Sequence, residues 1–220
     1  MMDKNIKVKA VIFDFDGTLV DSESLYTKAL IQVSNEMNTL KDVDFKSLAG
    51  YQTKDIDNIL KKEGYHIPDN FFKEAEVYFR KIIETDLETF DGVMETLERF
   101  KDLDMVIASN SNIDYVKKHS DMKGISKYIK GYSCFNEKLR AKPEPDLFLY
   151  AFELLKGYNN DLKKEDVIIF EDSLAGIEAA KKAGIKSIAI TNSYNKKELM
   201  DKGAYIVVDK INEVFNYIEL

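Results

Sequence analysis

The sequence has a single cysteine, Cys134, among its 220 residues, and it has only 3 prolines and 10 glycines. One cysteine excludes an intrachain disulfide framework and any metal site built from cysteines alone, which agrees with a reducing compartment. The low proline and glycine content stands beside 45% hydrophobic residues. That balance is typical of a chain that buries a core, and it is unlike a disordered or fibrous protein.

Long apolar runs are also missing. No run approaches the ~18 residues needed to cross a bilayer, and residues 1–10 carry no apolar signal-peptide stretch behind their charged start. We therefore predict a cytoplasmic protein without a membrane partner.

Basic residues are outnumbered by acidic ones, and arginine is scarce. The 32 lysines and arginines against 39 acidic residues give a net charge of −7, which disfavours nucleic acid as a partner. Arginine occurs only at Arg80, Arg99 and Arg140. A phosphate ligand would therefore depend on lysine, backbone amides or a metal, because few guanidinium groups are present to bind it.

What the sequence does contain is an alternation of strand-like and helix-like segments with one interruption. Residues 8–13 form a short apolar run that is typical of a parallel strand buried on both faces. Residues 23–88 then show helical spacing throughout, and strands and helices alternate from residue 91 to a last helix expected at 211–218.

This order predicts an α/β fold with a doubly wound parallel sheet, a Rossmann-like core, and an inserted all-helical cap domain. The core would comprise residues 1–20 and 90–220, and the cap residues 21–89.

Polar side chains follow the predicted strands at their carboxyl ends, where open parallel sheets bind ligands. They are Asp14, Asp16, Gly17 and Thr18 after the first strand, Ser109 and Asn110 after residues 105–108, and Glu171 and Asp172 after residues 167–170. Lys142, in a turn before Pro143, is placed to join them.

This set suits metal-assisted phosphoryl transfer. Carboxylates bind Mg²⁺, one carboxylate can attack phosphorus, and a second can move protons. Lysine and hydroxyl donors stabilise charge on the phosphoryl oxygens. Each feature alone has a simpler interpretation, such as a solvated turn for Asp14 to Gly17, so the prediction depends on the whole set.

The same residues carry a resemblance to a known family. The segment DFDGTLVDS at 14–22, ASNS around Ser109, AKPEPD around Lys142 and FEDSLAGIEAA around Glu171 resemble the four ordered motifs of the haloacid dehalogenase superfamily. The chain is most similar to the phosphatase and β-phosphoglucomutase-like branch, in which a helical cap is inserted after the first motif.

The resemblance implies a role for each matching residue. Asp14 would be the nucleophile and a Mg²⁺ ligand, and Asp16 would be the general acid/base, with its backbone carbonyl on the metal. Ser109 and Lys142 would bind the transferring phosphoryl group, and Asn110 would assist through its amide. Asp172 would ligate Mg²⁺, with Glu171 beside it or one shell out.

Substrate binding is expected from Thr18 in the first motif and from the cap loop around Gly50 and Lys54. Tyr26 stands where β-phosphoglucomutases have a histidine, and residues 48–54 lack the arginine that those enzymes place there. We therefore expect a phosphatase acting on a small phosphate monoester.

Two alternatives stay open. β-Phosphoglucomutase activity is the first, with Arg80 or Lys81 as candidate cap cations for a second phosphate. The other is a non-catalytic phosphate-binding module. A monomer is the working assumption, because the cap must open and close to admit substrate.

Overall fold

The computed structural model describes residues 6–48 and 53–219. The strands in this part of the chain are β1 (Ile6–Lys7), β2 (Ala10–Phe13), β3 (Asp104–Ser109), β4 (Gly131–Cys134), β5 (Val167–Glu171), β6 (Lys186–Ile190), β7 (Ile206–Val208) and β8 (Ile218–Glu219). The α-helices are α1 (Ser22–Glu36), α2 (Thr53–Lys62), α3 (Phe71–Asp86), α4 (Val93–Arg99), α5 (Ile113–Met122), α6 (Asp146–Lys156), α7 (Leu174–Ala183) and α8 (Lys196–Lys202).

Six of these strands form one parallel sheet in the order β4-β3-β2-β5-β6-β7. Strand β2 lies between β3 and β5, with Phe13 paired to Ile107 on one side and to Phe170 on the other. The crossovers on both sides of β2 define a doubly wound α/β fold, as the sequence predicts.

Both faces of the sheet are buried, which explains why its central strands are continuous hydrophobic runs. One face packs against α6 and α7 through side chains such as Ile12, Ile169 and Phe148. The other face carries stacked rings, with the Phe13 and Phe170 centroids 5.1 Å apart and Phe100 6.0 Å from Phe170.

The chain divides into two compact units, Met1–Val20 with Thr89–Leu220, and Asp21–Glu88. Thr89, which the sequence assigned to the cap, belongs instead to the sheet-containing unit. It pairs with Val20 in an isolated antiparallel bridge, and the next residue, Phe90, donates its N–H to the Leu19 carbonyl at 3.2 Å.

The second unit is helical. Helices α1 and α3 pack on each other, and α2 and a 3₁₀ turn at Phe45–Leu48 complete the unit around a core of buried side chains. Its core members are Leu30, Val33, Leu40, Phe45, Ile56, Leu60, Phe71 and Ala75.

The two ends of the described chain differ from the prediction. Residues Ile211–Asn216 form a 3₁₀ helix, and the chain then turns into β8, which pairs in parallel with β1. The segment expected as one helix therefore ends early, because Ile218 is buried by pairing with Ile6. Among the described residues, no helix combines the length and hydropathy required to span a membrane.

Candidate active site

The carboxylate of Asp14 lies directly after β2, at the carboxyl edge of the sheet. Its backbone N–H donates to the Phe170 carbonyl at 2.9 Å, so the β2–β5 pairing extends to this residue. Asp14 is buried, as are Lys142, Glu171 and Asp172. Four ionisable groups from three segments therefore meet with little exposure to bulk water, the Asp14 side chain being 10% exposed.

Lys142 joins two of these carboxylates. Its Nζ lies 2.6 Å from Asp14 Oδ1 and 2.8 Å from Glu171 Oε2, and its side chain is only 3% exposed. The backbone N–H of Lys142 donates to Asn110 Oδ1 at 2.8 Å, which fixes the turn that carries it. The Lys142–Pro143 peptide bond is cis.

Charge and burial act in opposite directions on Asp14. Burial and the negative charge of Glu171 raise the pKa of the Asp14 carboxyl well above its usual range, although Lys142 opposes them. For Lys142, burial lowers the pKa, but the two neighbouring carboxylates more than compensate and the pKa rises. Lys142 is therefore an ammonium ion held between carboxyl groups.

Glu171 is the last residue of β5, and its carboxyl group leaves no room for a side chain at position 176. Its Oε1 accepts hydrogen bonds from the Asp172 and Ser173 backbone N–H groups at 3.1 and 3.0 Å, and from Ser173 Oγ at 2.8 Å. A Cβ on Gly176 would come within 1.9 Å of this carboxyl group. The glycine in the α7 motif is thus required by the close approach of Glu171.

Asp172 is held by hydroxyl groups on both of its oxygens. Thr18 Oγ1 donates to Oδ1 at 2.9 Å, and Ser193 donates to Oδ2. Thr18, which the sequence predicts to bind substrate, is fully buried with its hydroxyl on Asp172, so its side chain orients this carboxylate. Gly17, at φ 78°, is also close, since a Cβ there would lie 2.3 Å from Asp172 Oδ2.

Asp14, Glu171 and Asp172 offer oxygens that lie within 4.8 Å of one another. A cluster of buried carboxylate oxygens is the donor set that hard divalent cations prefer. The residues therefore fit a metal at the position where the sequence places one, and Lys142 supplies only part of the compensating charge.

Asp16 lies two residues further on, and its carboxylate faces the segment after β3. Ser111 Oγ donates to Oδ2 at 2.7 Å, and Tyr115 OH donates to Oδ1 at 2.9 Å. Ser109 Oγ lies 3.5 Å from Oδ2 and accepts the Ser111 N–H at 3.0 Å. Ser109 and Asp16 are thereby placed side by side.

Sequence reasoning missed three of these residues. Ser193 follows β6 at the same sheet edge as the predicted groups, so the position of the strand end was an available signal. Ser111 lies within the ASNS motif, but the family resemblance assigns no role to it. Tyr115 is in the first turn of α5, and no motif marks it.

The predicted cap residues lie in the helical unit or outside the described part of the chain. Lys54 is an exposed residue in the first turn of α2, and Gly50 falls outside the described residues. Arg80, a candidate cap cation, pairs with Glu76 at 2.7 Å on the surface of α3, and Lys81 is exposed. Tyr26 shares a 2.9 Å hydrogen bond with Thr53.

Comparisons with known proteins agree with this geometry. The family model for haloacid dehalogenase-like hydrolases matches residues 11–190. A phosphorylated carbohydrates phosphatase of Thermotoga maritima is 30% identical, over 96% of this chain and 99% of that protein. A β-phosphoglucomutase of Mycobacterium bovis is 26% identical, over 94% of this chain and 92% of its own length.

A solved structure shows the same fold. It is a HAD family hydrolase of Deinococcus radiodurans with bound phosphate and sodium, at a TM-score of 0.79 and 24% identity, covering 96% of this chain and 94% of that one.

The fold is a doubly wound sheet like that of this hydrolase, and its carboxyl edge brings together three buried carboxyl groups and the ammonium of Lys142. The chain belongs to the haloacid dehalogenase-like hydrolase family, and it is an enzyme with phosphohydrolase activity.

Proposed function

We propose that the protein is a Mg²⁺-dependent phosphatase that hydrolyses a small phosphate monoester, such as a sugar phosphate, through an aspartyl-phosphate intermediate. The observation that carries this proposal is the buried contact of Asp14 with Lys142, beside the oxygens of Glu171 and Asp172. The similarity to a phosphorylated carbohydrates phosphatase supports the substrate class.

In the first step, Asp14 attacks phosphorus and the ester P–O bond breaks, while Asp16 gives a proton to the leaving oxygen. In the second step, water attacks the phosphorus of the aspartyl phosphate, Asp16 takes a proton from the water, and the Asp14–phosphorus bond breaks. Inorganic phosphate is released and both carboxyl groups return to their starting states.

Lys142 and Ser109 have supporting roles in this scheme. Lys142 is close enough to Asp14 to pair with a phosphoryl oxygen once phosphate is bound there, and Ser109 lies beside Asp16. Asp14, Asp172 and Glu171 would hold Mg²⁺, together with the Asp16 carbonyl. The metal, when bound, supplies positive charge that lets one anion approach another.

The proposal is tested by turnover of 4-nitrophenyl phosphate with Mg²⁺. We expect Asp14→Asn to abolish phosphate release, since the amide cannot form the phosphoenzyme, and EDTA to abolish it until Mg²⁺ is restored. Asp102→Asn is the matched control, because Asp102 is an exposed acid of the same unit. Activity that survives Asp14→Asn would contradict the aspartyl-phosphate mechanism.

Tyr26 favours phosphatase activity over the mutase alternative, because it stands where β-phosphoglucomutases have a histidine. Its hydroxyl shares a hydrogen bond with Thr53. The deciding substrate is β-glucose 1-phosphate with a trace of the bisphosphate. Release of phosphate faster than formation of glucose 6-phosphate is the expected result, and the reverse order would identify a mutase. Absence of turnover on a panel of sugar, nucleotide and small organic phosphates would favour the non-catalytic module.

A further inference from the structure

We infer that Tyr115 is a positioning residue, which with Ser111 fixes the carboxyl group of Asp16 for proton transfer. The inference rests on the proposed function, in which Asp16 is the general acid/base. It assigns a role in the reaction to a side chain outside all four sequence motifs.

Three hydroxyl groups near the Asp16 carboxyl group come from one short segment, residues 109–115. Tyr115 OH donates to Oδ1 at 2.9 Å and Ser111 Oγ donates to Oδ2 at 2.7 Å, so each carboxyl oxygen has its own hydroxyl partner. Ser109, at 3.5 Å from Oδ2, is a weaker neighbour. Two directed hydrogen bonds on different oxygens fix both the position and the plane of a carboxyl group, whereas one would leave it free to rotate.

Tyr115 is itself held in place. Its backbone N–H donates to the Asn112 side chain at 3.0 Å, which caps the start of α5. Its ring meets Phe15 edge-on with the centroids 6.2 Å apart, and the centroid of the His119 ring lies 4.4 Å from that of Tyr115. Phe15 is the neighbour of Asp16 in sequence, so the ring contact and the hydroxyl contact reinforce each other. The hydroxyl is therefore preorganised.

A hydroxyl group suits both states of a proton carrier. It donates to the carboxylate, and it can accept from the protonated acid, so contact survives when Asp16 loses its proton to the leaving oxygen and regains one from water. Tyr115 keeps its own phenolic hydrogen in both steps. Its contribution is the orientation of Asp16, and proton transfer loses rate steeply when the carrier is misplaced.

The test is the Tyr115→Phe variant, which keeps the ring and removes only the hydroxyl, assayed on phenyl phosphate and 4-nitrophenyl phosphate. The two esters have similar shapes, but phenolate leaves poorly without a proton while nitrophenolate leaves readily. The constant kcat/KM reports the steps up to departure of that group. We expect kcat/KM to fall about tenfold or more for phenyl phosphate and at most about threefold for 4-nitrophenyl phosphate.

Tyr128→Phe is the matched control. Its hydroxyl also donates to a carboxylate at 2.9 Å, that of Glu98, in the same unit but outside the acidic cluster. We expect its two kcat/KM values to stay in the wild-type ratio, and we expect Ser111→Ala to shift the ratio in the same direction as Tyr115→Phe.

Equal losses on both esters in Tyr115→Phe would overturn the inference, because a packing role lowers both rates together, and so would unchanged rates. Failure of the proposed function has a different signature. In that case the wild-type enzyme releases no phosphate, or Asp14→Asn retains activity.

Discussion

Two glycines with similar backbone angles distinguish the effect of backbone conformation from the effect of close approach by a neighbouring side chain. Gly17 and Gly184 both lie at positive φ, at 78° and 71°. A Cβ on Gly17 would lie 2.3 Å from Asp172 Oδ2, whereas a Cβ on Gly184 would meet nothing within 4 Å. Only the first glycine is required by a neighbouring side chain.

We therefore predict that Gly17→Ala destabilises the protein more than Gly184→Ala does. Both variants carry the cost of a left-handed alanine, about 1–2 kcal/mol. Gly17→Ala adds crowding of about 1–3 kcal/mol and displaces Asp172, so its Mg²⁺ affinity should fall as well. Urea unfolding and calorimetric Mg²⁺ titration measure the two effects. Equal free energies of unfolding in the two variants would show that Asp172 tolerates the new methyl group.

The residues that carry charge at the site were predictable, because strand ends in a parallel sheet converge at one edge. Asp14, Lys142 and Asp172 follow from that rule and the motif order. Tyr115 was not predictable, because its contact with Asp16 depends on how far α5 is rotated about its axis, which sequence spacing does not specify. The contact of the Thr18 hydroxyl with Asp172 was not predictable for a related reason, since a hydroxyl in a motif loop points inward or outward according to the turn.

At the scale of elements, one carboxylate links α7 to α8. Glu178 in α7 pairs with Lys182 one turn later at 3.0 Å and with Lys202 of α8 at 2.6 Å. The hydrogen bonds from Lys202 and Lys182 lower the pKa of Glu178 from 4.5 to about 2. Because the folded pKa lies below the unfolded value, the pairs stabilise the fold above about pH 4.5 and lose that contribution as the pH falls toward 2.

We predict that Lys202→Met raises the Glu178 pKa toward 4.5, as measured by carboxyl carbon chemical shifts during an NMR pH titration. The acid-side stability loss should then be smaller than in wild type and end at a higher pH, because the unfolded pKa sets its onset and the folded pKa sets its end. The effect should weaken in high salt, because the pairs are solvent-exposed. Lys181→Met is the control, since no ion pair joins Lys181 to Glu178 in the described structure. If the Glu178 pKa is the same in Lys202→Met as in Lys181→Met, the ion pair with Lys202 does not cause the lowered pKa.

Helix α8 is an element that we did not predict from the sequence. Its start carries a reciprocal cap between Asn195 and Glu198, and Gly203 follows its end in the left-handed region. The residues at both ends of the helix are visible in the sequence as helix-end signals. The helix itself is one of the two shortest α-helices described, and Leu199 is its one buried residue. Its hydrophobic periodicity was therefore too weak to detect. The pairing of β1 with β8 is a contact between distant segments of two residues each, which local pattern does not encode.

At the scale of the whole molecule, a protein with a net negative charge is expected to bind phosphate, which is a dianion and is repelled by that charge. The net charge is −7, and the site brings together the acidic groups of Asp14, Asp16, Glu171 and Asp172, two of which pair with the ammonium of Lys142. Coulomb repulsion inside a buried site is weakly screened by solvent. Mg²⁺ is therefore expected to be required for phosphate binding as well as for the reaction.

We predict that inorganic phosphate binds at least about tenfold more tightly with saturating Mg²⁺ than after EDTA treatment, a coupling of about 1.4 kcal/mol or more. Linkage requires that saturating phosphate strengthen Mg²⁺ binding by the same factor, so calorimetric titrations in both orders check each other. Asp172→Asn removes the negative charge of one proposed Mg²⁺ ligand, so it should reduce the two fold-changes in affinity together. Asp102→Asn should leave both fold-changes as in wild type. Phosphate affinity that is equal with and without Mg²⁺ would mean that Lys142 and backbone donors suffice to offset four carboxylates, and the metal would then act in the reaction alone.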